Sequence, residues 1–398
     1  MDLKDTPKEA EFREEIRTWL NTTLEENPHF KISRDFAGTI DDQDWDLRIQ
    51  WEKILGKDKW LGLTWPIEYG GRGAAPSELL IFHEEYAKSG APARASFFGE
   101  GLFAQTLLLY GTEEQKKYYL PRVQSCEHIW CQGYSEPNAG SDLAGIKTTA
   151  VLDDDHWTIN GQKTWSTLAH KANMCFVVCR TDKEAGAIKP QAGLSFLLVP
   201  MDDNGVEVRP IKQITGAVEF NEIFFTNTLA NNDCVLGEVG DGWKVAMATL
   251  GFERASAFLD QQALFSKDFS RLVEIAKELS VDTDPLIRQK FVQSYIGLQT
   301  MRLTAIRMLP KLLVQGKEIG PRSSILKLNW TRWFKEFGSL VDDVQGTKVL
   351  VTETTSKTSD ELTGISKVAL SSLGPSIFAG TTEIQKDIIA NHVLGLPR

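Results

Sequence analysis

The hydrophobic period changes twice along this chain, and that constrains the fold more than any other feature. Phe12, Ile16, Trp19, Leu20 and Leu24 return at helical spacing with charged residues between them. Pro28 closes that helix, and Trp45 to Leu55 repeats the pattern. A turn-rich stretch with Pro66, Gly70, Gly71 and Gly73 precedes further helices at about 77–89 and 97–110. Thr112 before Glu113 and Glu114 reads as a helix cap. Beyond that the period drops to two. Thr148 to Leu152, His156 to Ile159, Met174 to Arg180, Leu194 to Val199, Val206 to Val208 and Glu219 to Phe225 read as strands. Asp153-Asp154-Asp155 and Asn160-Gly161 carry hairpin-turn chemistry. From Asp241 to Leu279 the helical repeat returns through Trp243, Met247, Leu250, Phe258, Leu264 and Leu272, followed by Pro285 to Val314 and Ser323 to Val341. Long helices with such broad apolar faces predict a bundle that also assembles with other subunits. The expected class is α+β in three domains: a helical one at 1–125, a β-barrel or sandwich at 126–235, and a helical bundle at 236–398.

Composition excludes several partners. With 54 acids against 44 bases the net charge is −10, which argues against nucleic acid or an anionic membrane as the main partner. The N-terminus runs straight into a charged helix pattern, and no apolar run approaches the length of a spanning helix, so a cytoplasmic protein is expected. Five scattered cysteines form no disulfide framework, and Cys175 and Cys179 share one face of an apolar strand, where core packing is expected. No His or Cys set has zinc spacing, and His83-Glu84-Glu85 lacks the second His of a metalloprotease helix, so no metal is expected.

Two stretches carry candidate chemistry. Gly133-Tyr134-Ser135-Glu136-Pro137-Asn138-Ala139-Gly140-Ser141-Asp142 has small residues that let a backbone approach a flat or charged ligand, with hydroxyls on either side. On composition alone it reads as readily as a proline-glycine turn in a surface loop. Lys163-Thr164-Trp165-Ser166-Thr167 offers a ring that stacks and hydroxyls that reach an edge; alone, it equally describes a core Trp in an ordinary strand.

Together the two stretches resemble the acyl-CoA dehydrogenase family. Its flavin signature is a Thr/Ser-Glu-Pro turn running into Ala-Gly-Ser-Asp, followed about twenty residues on by Asn-Gly-x-Lys-x-Trp-x-Thr. Here these fall on Ser135 to Asp142 and on Asn160 to Thr167. The resemblance extends from Leu63 to Gly73 near one end and to Ile377 to Gln385 at the other, nearly the whole chain. It implies that family's fold, with a four-helix C-terminal bundle and FAD lying between the β domain and that bundle. No Gly-x-Gly-x-x-Gly follows a strand, so a Rossmann site is not expected.

By the same resemblance, Tyr134, Ser135, Trp165 and Thr167 approach the flavin ring, and Ser141 the flavin pyrophosphate and the pantetheine arm of the substrate. Arg288 and Phe291 resemble residues offered to the diphosphate and adenine end by a neighbouring subunit, and Thr381 and Glu383 resemble the Thr and polar partner near the flavin. The implied reaction is α,β-desaturation of an acyl-CoA, with hydride passing to flavin N5 and an electron-transfer flavoprotein as acceptor.

That reaction needs a base. The family commonly has Glu directly before the C-terminal Gly-Thr, where this chain has Ala379. In the isovaleryl- and long-chain-type branches the base sits on an earlier helix, and Glu253-Arg254 resembles that arrangement. Glu253 is therefore the expected general base, against a surface Glu paired with a basic neighbour. Arg254, about 100° away on the helix, is expected to face CoA. The backbone N–H of Ala379 is expected to help hold the thioester oxygen, a role independent of its side chain. The family's Gln-x-x-Gly-Gly is not clearly present; Val344-Gln345-Gly346-Thr347 lies there without the paired glycines. Relatives built from two different subunits, some acting on steroid side chains, diverge there, so a heteromer stands beside a homodimer or homotetramer. An oxidase, a monooxygenase or a non-catalytic partner subunit of the same fold are the alternatives. Glu253 favours dehydrogenation; Ala379 is the best argument for the non-catalytic subunit.

Overall fold

The computed structural model describes residues 4–31, 44–202, 205–312, 317–350 and 365–397, without the side chains of 255–260, 309–312 and 349–350. The expected periodic position Phe258 and the expected helix end Val314 therefore lie outside the described side chains and residues, respectively.

Helix α1 (Pro7–Glu26) begins at a capping box in which Thr6 and Glu9 satisfy each other's backbone N–H groups. Its buried stripe of Phe12, Ile16, Leu20 and Leu24 packs with α2 (Trp45–Lys57) and α3 (Pro76–Ser89) around Trp51, Trp60 and Phe82. A π-helical turn, Phe98–Phe103, runs into α4 (Ala104–Tyr110). Helix α5 (Glu113–Gln124) is capped by Thr112, as its sequence predicts.

Seven strands follow: β1 (Trp130–Gly133), β2 (Thr149–Asp153), β3 (His156–Lys163), β4 (Met174–Arg180), β5 (Leu194–Pro200), β6 (Val206–Ile211) and β7 (Phe220–Asn231). They form one sheet in the order β1-β4-β2-β3-β7-β6, with β5 along the other edge of β4. Every residue of β4 before Arg180 is buried, which explains its unbroken apolar run. Cys175 and Cys179 are fully buried there, and all five cysteines are free. The Asp153–His156 register confirms the first expected hairpin. Asn160-Gly161 is corrected: it is not a turn but a bulge inside β3, where the register against β7 shifts and Gly161 adopts φ +153°. A Cβ at Gly161 would meet the Thr148 backbone at 2.7 Å, so the close approach requires glycine. The short α6 (Lys183–Ile188) joins β4 to β5.

The C-terminal bundle contains α7 (Gly242–Glu278), α8 (Pro285–Leu312), α9 (Ser323–Gln345) and a helix at 365–371, here α10. Phe265, Leu272, Met301, Trp333, Phe337 and Val368 lie in its core. Helix α11 (Thr382–Ile388) packs on α9. Helix α7 is the element that matters most for function, because it leaves the sheet and enters the bundle. Its first residue sits directly on β5: a Cβ on Gly242 would lie 2.5 Å from the Ser195 backbone. Gly242→Ala is therefore expected to destabilise the protein. Overpacking costs about 1–3 kcal/mol, more than the gain in helix propensity of at most about 1 kcal/mol. A lower urea midpoint is the measurement; an unchanged or higher one would show that α7 can lift off β5 freely. Among the described residues no helix is long and apolar enough to cross a membrane, and no cluster of metal-ligating side chains occurs.

Candidate functional site

The Ser135–Asp142 segment is held from behind. Glu136 and Ala139 exchange backbone hydrogen bonds of 2.9 and 3.0 Å across the Pro137-Asn138 turn. The Glu136 carboxylate accepts the Lys147 and Thr148 N–H groups at 2.7 and 2.8 Å. Lys163 Nζ, fully buried at the end of β3, donates to Glu136 Oε1 at 3.0 Å and to the Tyr134 carbonyl at 2.9 Å. Burial alone would raise the Glu136 carboxyl, but Lys163 and the donated hydrogen bonds outweigh it and hold the group below its ordinary range. The Thr164 N–H also donates to the Ser135 carbonyl, at 2.8 Å. The lysine of the second stretch thus anchors the backbone of the first. Ser135 is half-buried and Ser141 exposed, and a Cβ at Gly140 would meet nothing within 4 Å. The outer face of this turn is open.

Next to it the chain turns sharply at Trp165, in the left-handed region (φ +61°), and leaves the indole 58% exposed. A large, strained, exposed aromatic residue is a common mark of a ligand platform. The indole meets Phe220 edge-on at 6.0 Å, and Phe220 meets Phe378 at 6.2 Å, so an aromatic row links the β domain to the loop carrying Ala379. Thr167 is half-buried beside it. Ser166 is held by hydrogen bonds with Asn221, and its Oγ is buried with no partner among the described residues.

Glu253 lies early in α7. Its Oε2 is shut off from solvent and has no hydrogen-bond partner among the described residues. Burial raises its pKa, outweighing the nearby positive charges of Lys327 and Arg254 and a contact with Gln132 of β1. The buried Tyr134 ring packs edge-on against Phe176 and Phe196, and its hydroxyl has no well-formed hydrogen bond among the described residues. Burial holds that phenol well above its ordinary value; the Thr249 hydroxyl pulls it down and the Glu253 charge up again. Tyr134 therefore presents its carbonyl to Lys163 and its side chain to the surroundings of Glu253. Arg254 points elsewhere, with Nε 3.1 Å from Ser323 Oγ.

Ala379 also has left-handed backbone (φ +52°), followed by Gly380 at φ +85°. Thr381 caps α11, its hydroxyl accepting the Ile384 N–H at 3.2 Å, while Glu383 is exposed. Arg288 and Phe291 are not brought to this cluster. Arg288 is exposed at the start of α8, and Phe291 meets Phe269 of α7 edge-on at 5.8 Å.

Sequence reasoning missed Lys327 and Gln385. Lys327 Nζ donates to the carbonyls of Phe378 and of Gly380, the latter at 2.6 Å. Gln385 Nε2 donates to the carbonyls of Ala379 and Gly380, each at 3.2 Å. The signal for Lys327 was available: it falls on the apolar stripe of α9 with Trp330, Phe334 and Val341, where a lysine is out of place.

Comparison with known proteins places the whole chain in one family. The acyl-CoA dehydrogenase N-terminal, middle and C-terminal domain profiles match residues 6–127, 131–228 and 240–394. The acyl-CoA dehydrogenase IpdE1 of Mycolicibacterium smegmatis is 43% identical over 399 residues, covering 98% of both chains. Among solved structures, the Tcur3481-Tcur3483 steroid ACAD superposes with a TM-score of 0.84 at 28% identity over the full length of both chains. The ChsE4-ChsE5 complex of Mycobacterium tuberculosis gives 0.79 at 27%, again over both full lengths.

Proposed function

This chain belongs to the acyl-CoA dehydrogenase family, and from that membership we propose that Glu253 is the base that takes the α-proton of a bound acyl-CoA. The protein is an oxidoreductase acting on the CH–CH bond of an acyl-CoA thioester. The observation that carries the role of Glu253 is its buried carboxylate oxygen with no partner among the described residues. A buried acceptor without a donor is costly, and an acidic carbon beside it would supply the missing interaction. Its raised pKa brings the base nearer the working pH, where proton abstraction is most effective.

The family's flavin fits the residues present, and we take it to be FAD. The open outer face of the turn at Gly140 and the exposed Trp165 platform form its cradle, with Ser135, Ser141 and Thr167 as hydroxyl donors. Thr381 and Glu383, at the start of α11, flank the loop that adjoins it. When bound, the flavin supplies the acceptor for the hydride leaving the β-carbon. This chain's own residues do the rest: Glu253 receives the proton, the Ala379 N–H steadies negative charge on the thioester oxygen, and Arg254 serves the CoA side. An electron-transfer flavoprotein is the acceptor of the electrons.

A bulky, steroid-derived acyl group is the substrate class we favour, since Ala379 occupies little space and one structural relative is titled a steroid ACAD. We further read the assembly as heteromeric. Gln345, at the position of the motif but without its paired glycines, is buried and accepts the Ser366 hydroxyl at 2.9 Å. Arg288 and Phe291 would be offered to a second subunit along α8, whose Leu286, Val292, Tyr295 and Ile296 are exposed. The test is anaerobic addition of acyl-CoAs, fatty and steroid-derived, to the purified flavoprotein. Bleaching of the oxidised flavin band by one class is expected. No bleaching by any, with flavin bound, would sink the dehydrogenase reading of the isolated chain, and a homotetramer with one flavin per chain would sink the heteromer.

A further inference from the structure

The donor assigned to the thioester oxygen is a single backbone N–H in a short loop, and something must aim it. A trans peptide is planar, with its carbonyl and N–H pointing in opposite directions. The Phe378–Ala379 peptide has its carbonyl bonded to Lys327 Nζ. The Ala379 N–H on that same peptide must therefore point away from Lys327, and among the described residues it has no acceptor. The next two carbonyls are held as well, Ala379 by Gln385 and Gly380 by both Gln385 and Lys327. Three successive carbonyls are thus drawn inward. The run includes the left-handed dihedrals seen at Ala379 and Gly380.

We propose that Lys327 is a positioning residue for the reaction: by gripping the carbonyls on either side of Ala379 it turns the Ala379 N–H toward the thioester oxygen. The inference rests on the proposed function, because it needs a thioester to be aimed at. Packing alone does not account for a lysine here. Lys327 is 3% exposed on the apolar face of α9, and among the described residues it makes no ion pair. A buried ammonium in that state is costly, and Met or Leu would fill the same space without the penalty. The ammonium has instead the directed donors that two carbonyls require. Glu253 is its electrostatic counterpart; burial lowers the Lys327 pKa to about 8, with Glu253 opposing the fall and Arg254 adding to it. One side chain therefore serves both groups that act on the substrate.

The experiment compares the native flavoprotein with Lys327→Met and Lys327→Arg. The direct readout is the infrared carbonyl stretch of a bound trans-2-enoyl-CoA labelled with ¹³C at the thioester carbon. The native protein is expected to shift that stretch to lower frequency. Lys327→Met is expected to lose most of the shift, and kcat for flavin reduction to fall by about 100-fold with KM changed by less than about 3-fold. Lys327→Arg, which keeps two donors, is expected to recover part of both. A Lys327→Met protein that keeps the full shift and a rate within about 3-fold of native overturns the proposal. If that variant does not fold, Lys327→Ser, polar but too short to reach either carbonyl, replaces it; loss of the shift supports the proposal and a full native shift overturns it. A native protein that neither bleaches nor shifts any thioester carbonyl overturns the functional reading and this inference with it, which separates that failure from the failure of Lys327 alone.

Discussion

Glu253→Gln is expected to abolish bleaching of the bound flavin by acyl-CoA while leaving flavin content and fold intact. The substitution keeps shape and one carbonyl oxygen but removes the group proposed to receive the α-proton. Loss of a general base costs about 10²- to 10⁴-fold, and here the upper end is expected because no other carboxylate is assigned to the α-carbon. Stability should not suffer. The native carboxylate is buried with one oxygen unpartnered among the described residues, and its folded-state pKa lies above the unfolded value. Between those two values the folded protein binds more protons than the unfolded chain, so ionisation of Glu253 costs stability as pH rises. Gln removes that cost, and the urea midpoint at neutral pH should equal or exceed the native one. The native rate should rise with pH through a pKa above the ordinary carboxylate range, and that limb should vanish in the variant. Bleaching at a rate within about tenfold of native would show that the base lies elsewhere.

Lys163→Met carries the second large effect, on stability rather than chemistry. Lys163 and Glu136 form a buried ion pair at 3.0 Å beneath the Pro137-Asn138 turn. Breaking such a pair from one side leaves an uncompensated buried charge and costs about 3–5 kcal/mol. The loss should appear as a large fall in urea midpoint together with poor retention of flavin, since the Tyr134 carbonyl loses its anchor too. Removing both partners, as Lys163→Met with Glu136→Leu, should not restore stability in full. The Lys147 and Thr148 N–H groups would then lose their acceptor. A double variant as stable as the native protein would show that the pair does not organise this turn.

Much of the architecture was legible because period reports burial directly. Met174 to Arg180 emerged with the bounds that the structure gives, since a strand buried on both faces has no polar interruption. Helix α8 was likewise marked by Pro285 at its start. The errors fall where local turn chemistry was overridden by pairing. Asn160-Gly161 reads as a hairpin turn, and the expected strand from Glu219 stops at Phe225, whereas β7 runs on to Asn231. In the folded protein the two meet: the Asn227 N–H donates to Asn160 Oδ1 at 2.8 Å, and the strands continue through a paired irregularity. No local pattern contains that information, because the partner lies far away in sequence. The site shows the same division. Glu253 and Ala379 are singled out through motifs that resemble the family's, whereas Lys327 bonds to carbonyls some fifty positions away.

The backbone at Ala379 has a further consequence for how such a protein can diversify. The left-handed conformation costs an L-residue roughly 1–2 kcal/mol and is sustained by grips on the neighbouring carbonyls, none of which touches the Ala379 methyl group. On the role proposed for Ala379, the reactive contribution of this position would be encoded in main chain, and its contribution to fit in one small side group. Descendants can exchange that methyl for hydrogen, or for another unbranched group, and alter which acyl chains enter without rebuilding the machinery that acts on them. Chemistry and selectivity occupy the same residue yet mutate independently.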